Sequence, residues 1–147
     1  MADFVFNISK GAVAEKIRDG ATNVGLMLLK AAEADATLKD RTDLADLLAE
    51  AGNTEADFTN YARKTGLTGT ITVDNTNDRV DVDIADQTFT SAGGAANNTM
   101  AKVVTYYEES AADSGRIPLT SHDNSETTSG SDITFQMNAA GIARCTD

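Results

Sequence analysis

The part of the chain that follows residue 58 contains short segments in which apolar and polar residues alternate, and this period of two predicts strands. Thr70–Val73 and Arg79–Ile84 both alternate in this way, with the polar residues Asp74–Asp78 between them. Two alternating segments joined by five polar residues are typical of a β-hairpin. Arg79–Ile84 would bury its aliphatic side chains under a charged outer face. We therefore expect a fold organised around antiparallel sheet.

Further strands and loops are predicted across residues 59–147. This region is rich in β-branched residues, glycine and asparagine, and it lacks helical periodicity. The predicted strands are Tyr61–Thr65, Lys102–Glu108, Arg116–Thr120 and Ile133–Met137, with a turn at Gly66–Gly69, a flexible loop at Ser91–Thr99 and a polar loop at Asp123–Gly130. Their spacing predicts an α+β fold, mainly an antiparallel β sandwich or open barrel with two short N-terminal helices.

Residues 9–58 are predicted to form a mixed, partly helical region. Gly11–Asp19 reads as a short helix, and Asp40–Ala51 has leucines at helical spacing and ends at a glycine. Gly25–Ala32 is a short apolar run whose length favours a buried strand, although its composition also suits a helix. We expect the Asp40–Ala51 helix to pack on the domain's own sheet; recruitment of a partner helix is the alternative. Because no repeat or linker interrupts the chain, residues 1–147 are predicted to be a single domain.

The first eight residues alternate strongly and predict a strand or an arm. Phe4, Phe6 and Ile8 would share one face of an extended segment, while Val5 and Asn7 would share the other. Large apolar side chains near a chain end must be buried either in the domain's own core or in a neighbouring molecule. The residues leave both outcomes open. We take Phe4, Phe6 and Ile8 as the predicted partner-contact face.

The charge of the chain excludes several classes of function. Twelve Lys and Arg residues against 23 Asp and Glu residues give a formal net charge of -11. Such an excess of carboxylates repels phosphate backbones and anionic lipid surfaces, so we expect neither nucleic acid nor membrane as a partner. Cys145 is the single cysteine and forms no internal disulfide, which favours synthesis in a reducing cytoplasm.

One stretch of the sequence contains the residue types of a catalytic triad. Ser121, His122 and Asp123 are consecutive, and His122 is the single histidine. A triad needs these groups to converge in space, whereas consecutive residues of an extended segment point to opposite sides. A turn or surface histidine is the favoured interpretation, and we expect neither enzymatic activity nor a cofactor.

Two acidic segments resemble metal sites only superficially. Asp74–Asp78 is rich in oxygen ligands, but the glycine and glutamate positions of an EF-hand loop hold Arg79 and Ala85. The alternatives are a looser cation site or a turn whose side chains bond their own backbone, and we favour the turn. Asp81 and Asp83 share a strand face near Asp86, as the charged residues of a solvated strand also do. No metal site is predicted.

Several runs of sequence resemble a family of small virion proteins encoded among the structural genes of tailed phages that infect actinobacteria. They keep their order and span nearly the whole chain: 1–8 with Lys10-Gly11, Thr59–Lys64, Asp74–Arg79, Asp83–Thr88, Ile117–Thr120 and Ser131–Thr134. The chain departs from the family at Ala85, where members often have proline, and at Phe89, where they often have tryptophan. Its ending, Gly141–Arg144, is less aromatic than theirs.

The resemblance implies a structural role in the virion. By analogy, the chain would be a capsid decoration (cementing) protein that binds the major capsid protein on the outer surface of the head. Local three-fold positions on an icosahedral shell suit a homo-trimer. The alternatives are a minor tail or head-to-tail joining protein and, from another class, a receptor- or carbohydrate-binding module of the virion.

Overall fold

The computed structural model describes residues 4–6, 22–138 and 141–146. The described strands are β1 (Phe4–Val5), β2 (Val24–Ala31), β3 (Thr54–Glu55), β4 (Lys64–Leu67), β5 (Thr70–Asp74), β6 (Arg79–Asp83), β7 (Gln87–Ala92), β8 (Lys102–Glu108), β9 (Arg116–Asp123), β10 (Ser131–Phe135) and β11 (Ala143–Thr146). The described helices are α1 (Asp35–Leu38), α2 (Leu44–Ala49) and a 3₁₀ turn, η1 (Asp113–Gly115).

These strands form one large and two small antiparallel sheets. The large sheet has the order β1-β9-β8-β2-β3, and β4 pairs with β2 beyond the end of β3. The small sheets are β5-β6-β11 and β7-β10. The predicted fold class, an α+β fold dominated by antiparallel β sandwich with two short helices, is confirmed.

The large sheet is covered on both faces because its central strand β2 is apolar on both. Leu26 and Leu28 point into an inner core shared with the small sheets, whereas Met27 and Leu29 point into an outer core shared with the helices. A continuous apolar run is what a strand buried on both faces requires. Gly25 lies opposite Tyr106 on β8, and a Cβ atom there would overlap the tyrosine ring.

The result is three layers, with helices outside the large sheet and the two small sheets on its other face. The inner core gathers Val82, Ile84, Phe89 and Phe135 from the small sheets against β2, β8 and β9. The outer core gathers Leu38, Leu44 and Leu47 from the helices against the opposite face. The prediction that the Asp40–Ala51 helix packs on the domain's own sheet is thereby confirmed.

Several strand predictions agree with the structure and others need correction. Lys102–Glu108 has the predicted bounds, Gly25–Ala32 is a strand, and the β5–β6 hairpin pairs without a register shift. The strand expected at Tyr61–Thr65 begins only at Lys64, because the preceding residues carry side chains into the core and an ion-pair network. Strands β3, β7 and β11 were not predicted.

Two further expectations are wrong in detail. The helix expected over Asp40–Ala51 is shorter, because Asp43 caps it by accepting a 2.8 Å hydrogen bond from the N–H of Asp46. The loop expected to be flexible at Ser91–Thr99 begins with the last two residues of β7. The remainder of the loop is held by hydrogen bonds. One of them is a 2.8 Å bond in which the N–H of Asp57 donates to Oδ1 of Asn98. The helix expected at Gly11–Asp19 lies outside the described residues.

Candidate interaction site

The N-terminal strand belongs to the chain's own sheet. Strand β1 pairs antiparallel with β9, and the N–H of Phe6 donates a 3.1 Å hydrogen bond to the carbonyl of Leu119. Phe6 is fully buried in the outer core, where its ring meets the half-buried ring of Phe4 edge to face at 5.3 Å. Val5 packs against the inner core, so the predicted alternation is real.

This arrangement removes one residue from the predicted partner-contact face. Phe6 has no exposed surface to offer another molecule, because the outer face of the large sheet supplies the apolar surroundings that it needs. Phe4 is half-buried beside it, and its contact with a partner stays a prediction. Ile8, the third member of the predicted face, lies outside the described residues.

The triad-like residues are dispersed, as their contiguity suggested. Ser121 is buried without a hydrogen-bond partner for its hydroxyl, on the face of β9 that also carries Asp123. Asp123 binds Lys102 there, while Nε2 of His122 lies 2.9 Å from the hydroxyl of Thr120 on the opposite face. The serine and the imidazole therefore lie on opposite sides of one strand. A catalytic triad instead requires a hydrogen bond between the nucleophile and its base.

The acidic turn between β5 and β6 uses its side chains to hold its own backbone. One carboxylate oxygen of Asp74 accepts hydrogen bonds from the N–H groups of Thr76 and Asn77, at 3.1 and 3.2 Å. The other accepts 2.7 Å from the amide of Asn77. Hydrogen bonds within the turn, those of Asn77 first, hold the pKa of Asp74 below its usual value. The turn interpretation is confirmed by these bonds.

One acidic residue of β6, Asp81, is paired with two arginines. Asp81 lies 2.6 Å from Nε of Arg144 on β11 and 3.2 Å from Nε of Arg79. Asp86 instead accepts a 2.7 Å hydrogen bond from the N–H of Met137. Asp81, Asp83 and Asp86 therefore do not converge as ligands. Within the described part of the chain, no group of three or more His, Cys, Asp or Glu side chains is placed to hold a metal ion.

The basic pair Arg63-Lys64 has structural partners. Arg63 binds Glu55 at 2.7 Å and Asp113 at 2.5 Å, and Arg116 binds the same Asp113 at 2.9 Å. The hydrogen bond to Arg63 is the main cause that holds the pKa of Asp113 below its usual value. Lys64 lies 4.6 Å from the centre of the Phe89 ring. This network connects η1 to the β3 and β4 edge of the large sheet.

A fully buried lysine fastens the helical layer to the large sheet. Nζ of Lys102 lies 2.6 Å from Asp35 on α1 and 2.5 Å from Asp123 on β9. Burial alone would lower the pKa of Lys102, but its hydrogen bonds to the two carboxylates outweigh burial and raise it. Sequence reasoning did not single out Lys102; a lysine that opens the apolar run Val103–Tyr107 was the available signal.

One cleft of about 400 Å³ opens between the end of β9 and the segment that follows β10. Its lining combines apolar and polar side chains, among them Val103, His122, Asp123, Phe135 and Gln136. Its size falls in the range of small-molecule pockets. Phe135 is 8% exposed, so only a small part of its ring is accessible from the cleft.

The β5 edge is an open strand edge among the described residues. Among them, β6 is the only strand that pairs with β5. Thr70, Thr72 and Val73 are exposed, and Val73, at 62%, is the one large apolar side chain in the described residues with such exposure. The sequence signal for this edge was the neutral run Thr70–Val73 beside the charged strand β6, but a hairpin alone does not reveal which strand is outermost.

Comparison of the chain with protein-family models, curated proteins and solved structures finds no match. The helices in the described residues are all too short to cross a membrane.

Proposed function

We propose that this chain is a capsid decoration protein, which binds the outside of a tailed-phage head and stabilises the shell by contacting the major capsid protein. On the head it would occupy local three-fold positions as a homo-trimer. The proposal is an analogy from the resemblance described above, supported by the way the chain folds.

The observation that carries the proposal is that the resembling runs lie side by side. Phe4 and Val5, within the run at 1–8, form β1, which pairs with the run Ile117–Thr120 on β9 through Val5 and Thr120. The run that ends at Thr88 pairs with the run Ser131–Thr134 through Thr88 and Thr134. The resemblance therefore covers strand pairings that define the fold, and not only isolated stretches of sequence.

Two properties of the molecule suit a shell component. The net charge of -11 disfavours contact with packaged DNA and non-specific association between densely displayed copies. Arginine–carboxylate networks join elements distant in sequence, as Arg63 does with Asp113, and neighbouring segments, as Arg41 does with Glu33 and Glu50. Networks of this kind resist local opening better than isolated surface pairs.

The aromatic side chains bear on the carbohydrate-binding alternative. All eight of them, five Phe and three Tyr, lie in described residues, and each is buried or half-buried. Phe58, Tyr61, Phe89 and Phe135 contact one another in the inner core, Tyr61 and Phe89 by stacking and the other pairs edge to face. Sugar sites usually display an aromatic platform to solvent. The decoration role is therefore favoured over a sugar-binding role.

The first experiment is to measure the copy number of the chain in gradient-purified virions by quantitative mass spectrometry, relative to the major capsid protein. A ratio comparable with that of the capsid protein is expected. A handful of copies per virion would instead identify a tail or joining protein. Absence from virions would reject both structural roles.

A glycan array probed with the purified chain tests the remaining alternative, the receptor- or carbohydrate-binding module, and no specific binding is expected.

A further inference from the structure

The edge of β5 carries none of the features that usually prevent strand addition. Its register with β6 runs without a bulge from Thr70 to Asp74, and it contains neither proline nor lysine. Its single charge, Asp74, is already engaged by the turn and by Arg79 at 3.2 Å. Natural edge strands are normally short, bulged or charged. An open edge of this kind is suited to pairing with another strand.

Other strand edges are shorter, less regular or charged. Strand β11, at the opposite edge of the same sheet, pairs with β6 without a register shift but carries the charged Arg144. Strand β10 has a register shift between Ser131 and Ile133, and β7 contains Ser91 with a left-handed backbone. Strands β1 and β3 are two residues long. Among the described residues, β5 therefore combines length, regularity and lack of blocking charge.

The strand that fits this edge is a second copy of β5. An antiparallel arrangement about a two-fold axis at Thr72 pairs Thr72 with Thr72, Ile71 with Val73 and Thr70 with Asp74. No like charges then face each other. Val73 of one copy gains a neighbour in Ile71 of the other, which already packs against the inner core. The exposed apolar side chain becomes part of a longer apolar layer.

The distribution of charge also favours the β5 edge, rather than another part of the surface, as the place where two copies of the chain meet. Two molecules that each carry a net charge of -11 repel one another over most of their surfaces. Residues 70–73 are neutral, and Asp81, which lies opposite Thr72 on β6, is matched by Arg79 and Arg144. The β5 edge is thus a place where two acidic copies can approach closely. We propose that β5 pairs with β5 of a second copy and joins two three-stranded sheets into one six-stranded sheet.

The pairing is tested by sedimentation equilibrium of the full chain and of Thr72→Lys. Lysine at the two-fold position would place two positive charges opposite each other. We expect the wild-type chain to associate in even numbers of copies and Thr72→Lys to raise the dissociation constant at least tenfold. The matched control is Thr90→Lys, which adds the same charge at an exposed position on β7 and is expected to associate like the wild type.

A cross-linking experiment tests the register itself. In a chain whose Cys145 is replaced by serine, Thr72→Cys should form an intermolecular disulfide under mild oxidation, because each residue 72 faces its counterpart. Thr90→Cys in the same background should remain monomeric on a non-reducing gel. Circular dichroism checks that each variant is folded.

Three results would overturn the inference: a wild-type chain that stays monomeric at millimolar concentration, an isolated trimer or other odd-numbered assembly, or Thr72→Lys that associates as tightly as the wild type. The proposed homo-trimer and the pairing hold together only if β5 joins two trimers into an assembly of six copies. An isolated trimer that binds heads would therefore reject the pairing and leave the proposed function standing. A chain that pairs but is absent from virions would reject the proposed function and leave the pairing standing.

Discussion

Phe6 has no exposed surface although it is the sixth residue of the sequence. It contacts the outer core together with Met27 and Val104 from the centre of the large sheet. A phenylalanine enclosed in this way contributes both transfer free energy and the filling of a cavity. Its neighbour Phe4 belongs to the same cluster but is only half-buried.

We expect Phe6→Ala to lower the free energy of unfolding by about 3–5 kcal/mol, the usual cost of emptying a fully buried aromatic site. Phe4→Ala is the matched control and should cost clearly less, because part of its ring is in water already. Urea denaturation followed by circular dichroism measures both. Equal losses for the two variants would contradict the burial seen here.

Asp113 is the residue through which acid should weaken the molecule. Its hydrogen bond to Arg63 lowers its pKa in the folded chain below the usual value of 3.8, so the unfolded chain binds the proton more readily. Stability from this carboxylate is complete above the unfolded pKa and is lost as the pH falls through the folded pKa. Glu33, whose pKa is lowered by Arg41, acts in the same direction.

We expect the urea midpoint of the wild type to fall between about pH 5 and about pH 3, and Asp113→Asn to reduce that fall. Asp78→Asn serves as a control, because it removes the same charge from an exposed position in the β5–β6 turn. If the two variants show the same pH dependence as the wild type, the Arg63–Asp113 pair does not contribute to acid sensitivity.

At the scale of elements, α2 depends on one capping residue. Asp43 has an extended backbone, and its carboxylate accepts a hydrogen bond from the N–H of Asp46 at the first turn. The helix is only six residues long, so its own hydrogen bonds cannot sustain it without the cap and the contacts of Leu44 and Leu47 with the outer core.

Asp43→Ala should destabilise the chain by about 1 kcal/mol, and Asp43→Asn should retain most of the lost stability because an asparagine oxygen accepts the same hydrogen bond. Thermal unfolding curves of the two variants provide the comparison. Identical melting temperatures for the alanine and asparagine variants would show that the cap does not support this helix.

At the scale of the whole molecule, the two cores share the central strands. Strand β2 sends Leu26 to the inner core and Met27 to the outer core, and β8 sends Val103 and Val104 to the two sides in the same way. Neither core can lose its packing without exposing a strand on which the other depends. The three layers are therefore expected to unfold in one cooperative transition.

Tyrosine fluorescence can test this because the tyrosines report on different sides of the large sheet. Tyr61 and Tyr107 pack against the inner core, and Tyr106 lies in the outer core. In Tyr106→Phe the fluorescence reports the inner core alone, and in Tyr61→Phe with Tyr107→Phe it reports the outer core alone. Within each variant, the fluorescence and circular dichroism midpoints should coincide. Separate midpoints would indicate layers that unfold independently.

Much of the strand pattern was determined locally by the sequence. The β5–β6 hairpin, strand β2 and strand β8 follow from alternation or from a continuous apolar run, because side-chain period reflects the faces that a strand buries. The hydrogen bonds of Asp74 follow from the habits of aspartate in turns. Strand β11 was missed because four residues next to a chain end carry too little pattern to identify a strand.

What the tertiary structure decided is which surfaces meet. The alternation of residues 4–6 is local, but only the pairing of β1 with β9 places Phe6 in the chain's own core instead of on a partner. The burial of Lys102 between two aspartates and the outermost position of β5 likewise depend on residues far apart in sequence. Period and composition specify the faces of each element, whereas the choice of neighbour for each face is settled by the free energy of packing the whole chain.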